Sequence, residues 1–508
     1  MTIYALLATV PGKIREDEMR EYGLYIGGEW VGGASGETFQ SFNPYRQQPW
    51  ATLREATEAE VDAAVQAAQK GNETWRAMNG GARAEILNRI AAVLSANGDD
   101  LAELESTDNG KVIRETRSQM QFVARLFRFY AGYADKLYGS TIPLDQPAIF
   151  DYTTREPYGV VGLITAWNSP ISLLGNKLPA ALAAGNCAVV KPSEHASVTT
   201  LEFCKLLEKA GVPPGVVNVV TGGPKVGDAM VRHPGIAKVS FTGSPGVGRI
   251  IAATAGQHLK PVTLELGGKS PNIIFDDADL DQATVGALAG IFAATGQTCI
   301  AGSRLLVQKR VHDEIVERLA ERAKAIRMGD PLDPATEMGT AANEPQFNRI
   351  MAAIDSAKGD GATLVTGGAR ATGAGLDDGL FIQPTIFSGV TNDMKVAQNE
   401  IFGPVLGVIS FDTEDEAIAI ANDIPYGLAS GVWTTNLSRA MRTIPKLRSG
   451  VVWVNTYRMV AAQAPFGGVK ESGFGRERGE QGLLEFTNVK NVMIDFSGEK
   501  RDPFAVKN

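Results

Sequence analysis

The chain has 508 residues, 44% hydrophobic and 21% charged, an ordinary globular composition too long for one compact core, so two or three domains are expected. A formal net charge of -8 without any dense Lys/Arg block argues against a nucleic-acid surface, and no apolar stretch reaches the ~20 residues of a membrane span. Three cysteines (Cys187, Cys204, Cys299) make no disulfide framework and suit a reducing cytoplasm, while four scattered histidines (His195, His233, His258, His312) lack ligand spacing, so no metal is expected.

In chain order, the apolar run Ile3 to Val10 has no basic residue before it and no small-residue cleavage signal after it. Residues 1–20 therefore read as a loose arm and not an export signal. Helical apolar spacing over Glu58 to Asn72 and Ala82 to Leu94 predicts helices packed on a sheet. From Gly159 the pattern alternates: strand Gly159 to Trp167, part of a helix over Leu178 to Ala184, strand Cys187 to Lys191, helix Leu201 to Ala210. It continues with strand Val216 to Val220, a helix from about Val226, strand Lys238 to Thr242 and helix Val247 to Thr254. Such alternation predicts a doubly wound α/β domain with a parallel sheet. A second alternating region, Glu265 to Gly475, has its clearest strands at Ser270 to Phe275, Ser303 to Val307 and Val451 to Asn455, predicting a second such domain. The terminal stretch Glu485 to Ile494 is apolar and β-prone yet outside either alternation, and an exposed strand of that kind usually pairs with something.

Several segments carry chemistry. Cys299 lies in the small-residue stretch Gly296-Gln-Thr-Cys-Ile-Ala-Gly-Ser303; alone, such a cysteine is more often a small buried hydrophobe than a nucleophile. Glu265 sits between two leucines and before paired glycines, a setting that raises a carboxyl pKa toward that of a general base, although it also reads as a strand-end surface residue. Asn168, just after a strand, offers an amide donor for an oxyanion. Lys191-Pro-Ser-Glu194 closes another strand. Phe241-Thr-Gly-Ser-Pro-Gly-Val-Gly248 is a glycine-rich strand-to-helix turn that can offer a helix N-terminus to a pyrophosphate, though it does not spell the usual G-x-G-x-x-G.

Together with Asn399-Glu-Ile-Phe-Gly-Pro404 and Pro465 to Glu477, these segments resemble the aldehyde dehydrogenase superfamily in order and spacing, from about Tyr25 to Val492. The resemblance implies a non-acylating, NAD(P)-dependent enzyme in which Cys299 attacks the aldehyde to give a thiohemiacetal. Asn168 and the Cys299 backbone N–H then form the oxyanion hole, and Glu265 activates the water that cleaves the thioester. Glu477 corresponds to a carboxylate that relays protons in some relatives; otherwise it is a structural Glu salt-bridged to Arg476 and Arg478. Lys191 and Glu194 correspond to adenosine ribose contacts, and a carboxylate there repels a 2′-phosphate, favouring NAD over NADP. Trp167, Gly223, Gly227, Phe241, Gly243, Ser244 and Val247 correspond to the adenine and pyrophosphate path, and Leu266, Glu400 and Phe402 to the nicotinamide end. Pro245 and Gly246 depart from positions that are often polar or acidic in relatives.

The implied subunit has an N-terminal arm (1–20), an NAD-binding domain (21–136 and 158–264), a catalytic domain (265–480) and an oligomerisation arm (137–157 and 481–508) whose strands pair across subunits of a homodimer or homotetramer. Ser169, Leu173 and Asn176 replace the bulky aromatics that relatives acting on apolar aldehydes often carry, and Arg458 and Val460 fall at the tunnel mouth. This implies a polar aldehyde, such as a semialdehyde whose carboxylate Arg458 clamps, unless Arg458 faces solvent or pairs with an acid. A purely structural descendant would have no use for Cys299, Glu265 and Asn168 together, and the Glu265 base argues against transfer of the acyl group to coenzyme A.

Overall fold

Five parallel strands, Val160–Ile164, Cys187–Lys191, Val217–Val219, Lys238–Thr242 and Val262–Glu265, form the centre of an eight-stranded sheet in a computed structural model whose described residues are 19–32, 36–499 and 503–504. Cys187–Lys191 and Lys238–Thr242 are buried along their whole length, as expected for strands covered on both faces. Across the sheet the order runs Val262–Glu265, Lys238–Thr242, Val160–Ile164, Cys187–Lys191, Val217–Val219. The winding direction therefore reverses between Lys238–Thr242 and Val160–Ile164, and a crevice opens beyond their carboxyl ends. Antiparallel strands close both edges: Gly473–Phe474 beside Val262–Glu265, and Leu24–Ile26 with Glu29–Val31 beside Val217–Val219.

The helices extend beyond what periodicity shows. Glu58–Ala77 begins at a capping box between Thr57 and Glu60 and buries Trp75 fully, whose Nε1 donates to the Leu182 carbonyl at 3.0 Å. Leu178 to Ala184 is only the second half of Pro170–Ala183, which starts on a proline that has no N–H to leave unsatisfied in the first turn. Gly98–Asn109 and Ile113–Ala131 have no counterpart in the sequence reading. The first of these ends in a polar run, Glu105 to Asn109, that is nevertheless buried. It is held by specific partners: Glu105 accepts from the Ile171 N–H at 3.2 Å, and Asp108 from the Ser41 hydroxyl and the Val198 N–H.

The second sheet has seven strands, in the order Thr363–Thr366, Thr385–Ser388, Val405–Phe411, Arg304–Gln308, Pro271–Ile274, Ala429–Trp433, Val451–Val454, and only the first pair is antiparallel. The chain crosses from the first sheet to the second between Glu265 and Pro271 and returns to the first at Gly473, so Glu265 stands on the seam. Arg304 is fully buried and fastens that crossing, donating to the carbonyls of Lys269, Ile420 and Ala421 and to Asn392 Oδ1.

The terminal strand finds its partner within the chain. Thr487–Asp495 pairs antiparallel with Ile149–Pro157, and Thr141–Ile142 adds a short third strand. Among the described residues no further strand joins the outer side of Thr487–Asp495, where Val489 and Met493 are exposed. A further small sheet, Arg20–Tyr22 with Gln48–Arg54 and Thr38–Asn43, has no counterpart in the sequence reading. The arm read over residues 1–20 lies outside the described residues except for Met19 and Arg20, and the latter opens a strand. Among the described residues no helix is long and apolar enough to cross a membrane.

Candidate active site

A cleft of about 990 Å³ occupies the crevice at the winding reversal. On its first-sheet side it is lined by Trp167, Asn168, Leu173, Lys191, Glu194, Gly227, Phe241, Gly243, Ser244 and Val247. Glu265, Leu266, Cys299, Glu400 and Phe402 line the other side, where Phe402 meets Trp167 edge-on at 5.3 Å between ring centroids. Gly223 stands one residue outside the lining, its N–H donating to Glu55 Oε1 at 3.3 Å, while its neighbour Pro224 faces the cleft. Ser169, Asn176, Glu477, Arg458 and Val460 are not part of this lining.

The donor set at the first-sheet end fits a dinucleotide. Ser244 caps the helix Pro245–Gln257, its hydroxyl accepting from the Val247 N–H at 3.4 Å, and the first turn presents a helix N-terminus to an anion. The odd proline of the glycine loop occupies the first helical position and forfeits no bond there. Deeper in, Lys191 is buried with its Nζ 3.7 Å from the half-buried carboxylate of Glu194. Burial lowers the Lys191 pKa, and Glu194 opposes that shift.

The loop carrying Cys299 follows the helix Leu280–Phe292 and is unusual in its backbone. Ala294 and Thr295, neither of them glycine, hold φ of 54° and 55°, and Gly296 follows at 69°. Conformations so sparsely populated persist only where surroundings impose them. Here Glu115 Oε1 accepts from the Ala294 N–H at 2.9 Å, and the Gln297 side chain donates to the Thr340 carbonyl and accepts from the Ala342 N–H. Asn168 Nδ2 donates to the Gln297 carbonyl at 3.0 Å, which brings the Asn168 amide against the Cys299 loop. Lys111 Nζ donates to the Asn168 carbonyl at 2.5 Å and fixes that residue from behind. The Cys299 N–H has no acceptor among the described residues. The paired glycines after Glu265 permit the close approach: a Cβ on Gly268 would lie 2.6 Å from the Cys299 carbonyl oxygen.

Glu265 ends the strand Val262–Glu265, is 4% exposed, and neither carboxyl oxygen has a hydrogen-bond partner. Its pKa is pushed well above the usual carboxyl range, first by burial and then by the negative charge of Glu477, with Lys177, Arg476 and Arg478 opposing. Burial likewise lifts the Cys299 thiol to about 12, with Glu265 and Glu400 acting in the same direction, and Glu400 to about 7. Glu477 is not bridged to the arginines on either side of it. It forms a buried ion pair with Lys177, whose Nζ also donates to Ser240 Oγ at 3.1 Å. Lys177, Lys111, Gln297 and Arg478 all bear on the site and were missed by the sequence reading. A single lysine inside the apolar run Leu173 to Leu182 was the available signal, because a buried lysine needs a partner.

The description of the aldehyde dehydrogenase family matches residues 30–492 of the chain. The chain belongs to that family. It is 45% identical over 495 residues to the (Z)-2-((N-methylformamido)methylene)-5-hydroxybutyrolactone dehydrogenase of Acinetobacter baylyi, covering 96% of this chain and 100% of that protein. It is 44% identical to aldehyde dehydrogenase 1A1 of Gallus gallus, over 96% of each. Among solved structures it resembles an aldehyde dehydrogenase of Burkholderia cenocepacia (TM-score 0.94, 41% identity, 96% of this chain and 100% of that one). It also resembles betaine aldehyde dehydrogenase of Staphylococcus aureus in complex with NAD+ (TM-score 0.93, 39% identity, 96% of each chain). The protein is thus an aldehyde dehydrogenase family oxidoreductase with a mixed α/β fold, acting on aldehydes.

The raised thiol pKa makes a direct prediction for the protein without cofactor. Because the thiolate is the nucleophile, alkylation of Cys299 by iodoacetamide should accelerate roughly tenfold per pH unit between pH 7 and 10, with no plateau. Cys187 and Cys204 are buried and should stay largely unlabelled, so peptide mass spectrometry reads Cys299 cleanly. A rate that levels off below pH 8 would show that the loop holds a preformed thiolate instead.

Proposed function

We propose that this chain oxidises an aldehyde to a carboxylic acid with NAD+ through a thioester on Cys299. One observation carries the reading: the Cys299 thiol, its unengaged backbone N–H and the Asn168 amide converge on the same cleft as a buried carboxyl with no hydrogen bond of its own, Glu265. Cys299 gives up its S–H proton to solvent as Sγ attacks the aldehyde carbon, and the C=O electron pair displaced onto oxygen is stabilised by Asn168 Nδ2 and the Cys299 N–H. NAD+, when bound, supplies the acceptor that converts this thiohemiacetal to a thioester. Glu265 then takes a proton from water as the water oxygen bonds to the acyl carbon and the C–S bond breaks, and return of that proton to the departing Cys299 sulfur restores the enzyme. Its elevated pKa makes Glu265 a stronger base than an exposed carboxylate. Glu477, engaged by Lys177, acts through its charge on Glu265 and is not itself assigned a proton-relay step.

The eight-stranded sheet is read as the cofactor domain (21–136 and 158–264) and the seven-stranded sheet as the catalytic domain (265–480). Residues 137–157 and 481–508 are read as an arm whose open edge joins a second subunit in a homodimer or homotetramer. NAD is preferred over NADP, because Glu194 presents a half-buried carboxylate beside Lys191 where a 2′-phosphate would have to sit. The S. aureus structure, solved with NAD+, supports that cofactor for this chain too. For the substrate we infer a polar, acid-bearing aldehyde. Of Ser169, Leu173 and Asn176 only Leu173 lines the cleft and none is aromatic, and 5-hydroxybutyrolactones, the class in the name of the A. baylyi relative, are ring-closed forms of 4-oxo acids. Arg458, the clamp suggested by the sequence, spends one guanidinium N–H on the Ala289 carbonyl at 3.2 Å and lies outside the cleft lining.

Cys299→Ala should abolish NAD-dependent aldehyde oxidation while NAD binding, read by tryptophan fluorescence, is retained; substantial turnover by that variant would remove the covalent mechanism. In the parent enzyme kcat/KM should be higher with NAD than with NADP, and Glu194→Gln should narrow the ratio about tenfold, the size of one charge contact. Equal efficiency with both cofactors in the parent would overturn the assignment of Glu194.

A further inference from the structure

We propose that Arg478 reads the charge of the substrate, binding with its guanidinium the carboxylate at the far end of an acid-bearing aldehyde. The assignment rests on the aldehyde-oxidation reading above and names the group that selects within it. Arg478 is 7% exposed and follows Glu477 with φ of 62°, which turns its side chain away from the ion pair its neighbour makes with Lys177. Its guanidinium carbon lies 4.8 Å from the ring centroid of Phe466 and 5.1 Å from that of Phe122, and Nε donates to Asn176 Oδ1 at 2.9 Å.

That arrangement fixes the plane of the fork without neutralising it. No carboxylate among the described residues lies within ion-pair distance of Arg478, and the bond to Asn176 is the one hydrogen bond its guanidinium makes there, which leaves both terminal nitrogens without a protein acceptor. Aromatic faces offset part of the cost of burying a cation, but they accept no hydrogen bonds. An arginine stays charged when buried, and a buried charge without a counterion is costly unless something pairs with it. A pair of free, parallel N–H groups is the geometry that takes a carboxylate in two bonds.

Its position is set by the helix Pro170–Ala183. Ser169, Leu173 and Asn176 follow one another along one helix face, starting beside the Asn168 amide. Asn176, which holds Arg478, is therefore about 10 Å along the axis from the oxyanion site, at a rise of about 1.5 Å per residue. Glu477, Cys299, Glu265 and Tyr130 are the ionisable groups that bear on Arg478, so it stands close to the reacting groups although, like Asn176, it is not part of the cleft lining. A four-carbon chain with an aldehyde at one end and a carboxylate at the other measures roughly 6 Å from oxygen to oxygen, and its hydrogen bond to Arg478 adds about 3 Å toward that interval. A quaternary ammonium in the same place meets an unneutralised positive charge.

The test compares kcat/KM with NAD for 4-oxobutanoate, butanal and betaine aldehyde, of charge negative, neutral and positive, on the parent and on Arg478→Gln, Arg478→Lys and Arg458→Ala. The parent should prefer 4-oxobutanoate to butanal and butanal to betaine aldehyde. In Arg478→Gln the ratio of 4-oxobutanoate to butanal should fall roughly 10- to 100-fold, the size expected for a lost charge-assisted pair. Arg478→Lys should restore part of that ratio, and Arg458→Ala should move it less than Arg478→Gln does. Equal losses on all three aldehydes in Arg478→Gln, or a parent that favours betaine aldehyde, would overturn the proposal. Should Arg478→Gln fold poorly, the order of the three substrates on the parent decides alone. A parent that oxidises none of them, butanal included, instead overturns the aldehyde-oxidation reading.

Discussion

Burying Glu265 with neither carboxyl oxygen hydrogen-bonded is the constraint around which the site is arranged. A desolvated carboxylate is expensive, and burial therefore raises the pKa of the group well above the usual carboxyl range. The seam between the two sheets supplies the burial. Val262–Glu265 is the last strand of the first sheet to pair in parallel, and Gly473–Phe474 returns from the second to close its other side. Gly467 packs directly on the carboxyl; a Cβ there would lie 2.7 Å from Oε1. The two sheets must therefore meet closely for this residue to have its chemistry, and Arg304, laced to three carbonyls and Asn392, holds the crossing in place.

The remaining charges follow from that one. Glu477 is close enough to raise Glu265 further, yet is itself held by Lys177, so a buried ion pair sits behind the base. On the other side Arg478 carries a positive charge that Glu477 and Glu265 favour, although no carboxylate among the described residues lies within ion-pair distance of it. The same low dielectric that makes Glu265 basic raises the cost of an unpaired Arg478 and strengthens whatever anion pairs with it. Base strength and substrate charge selection are in this account two effects of one dry interior.

What the sequence disclosed follows physical lines. Cys187–Lys191 and Lys238–Thr242 were legible to the residue because strands buried on both faces read as unbroken apolar runs. Gly98–Asn109 was not, since its buried half is polar and satisfied by partners such as Ser41 and Val198, far away in sequence. Cys299, Glu265 and Asn168 announced themselves through local composition and through resemblance. Lys177 and Arg478 did not, because each is defined by a partner some 300 residues away, Glu477 and Asn176 respectively. The same limit explains Arg458, which the sequence sets at a tunnel mouth but which lies outside the cleft lining and donates to the Ala289 carbonyl, a partner 169 residues away.

The central claim is that Cys299 carries the acyl group and Glu265 releases it. The most direct measurement is intact-protein and peptide mass spectrometry of Glu265→Gln after mixing with NAD+ and an aldehyde it oxidises. The account predicts one acyl group per subunit, on the peptide containing Cys299, persisting long after the parent enzyme under the same conditions has hydrolysed its own. Normal steady turnover by Glu265→Gln with no adduct on Cys299 would contradict it.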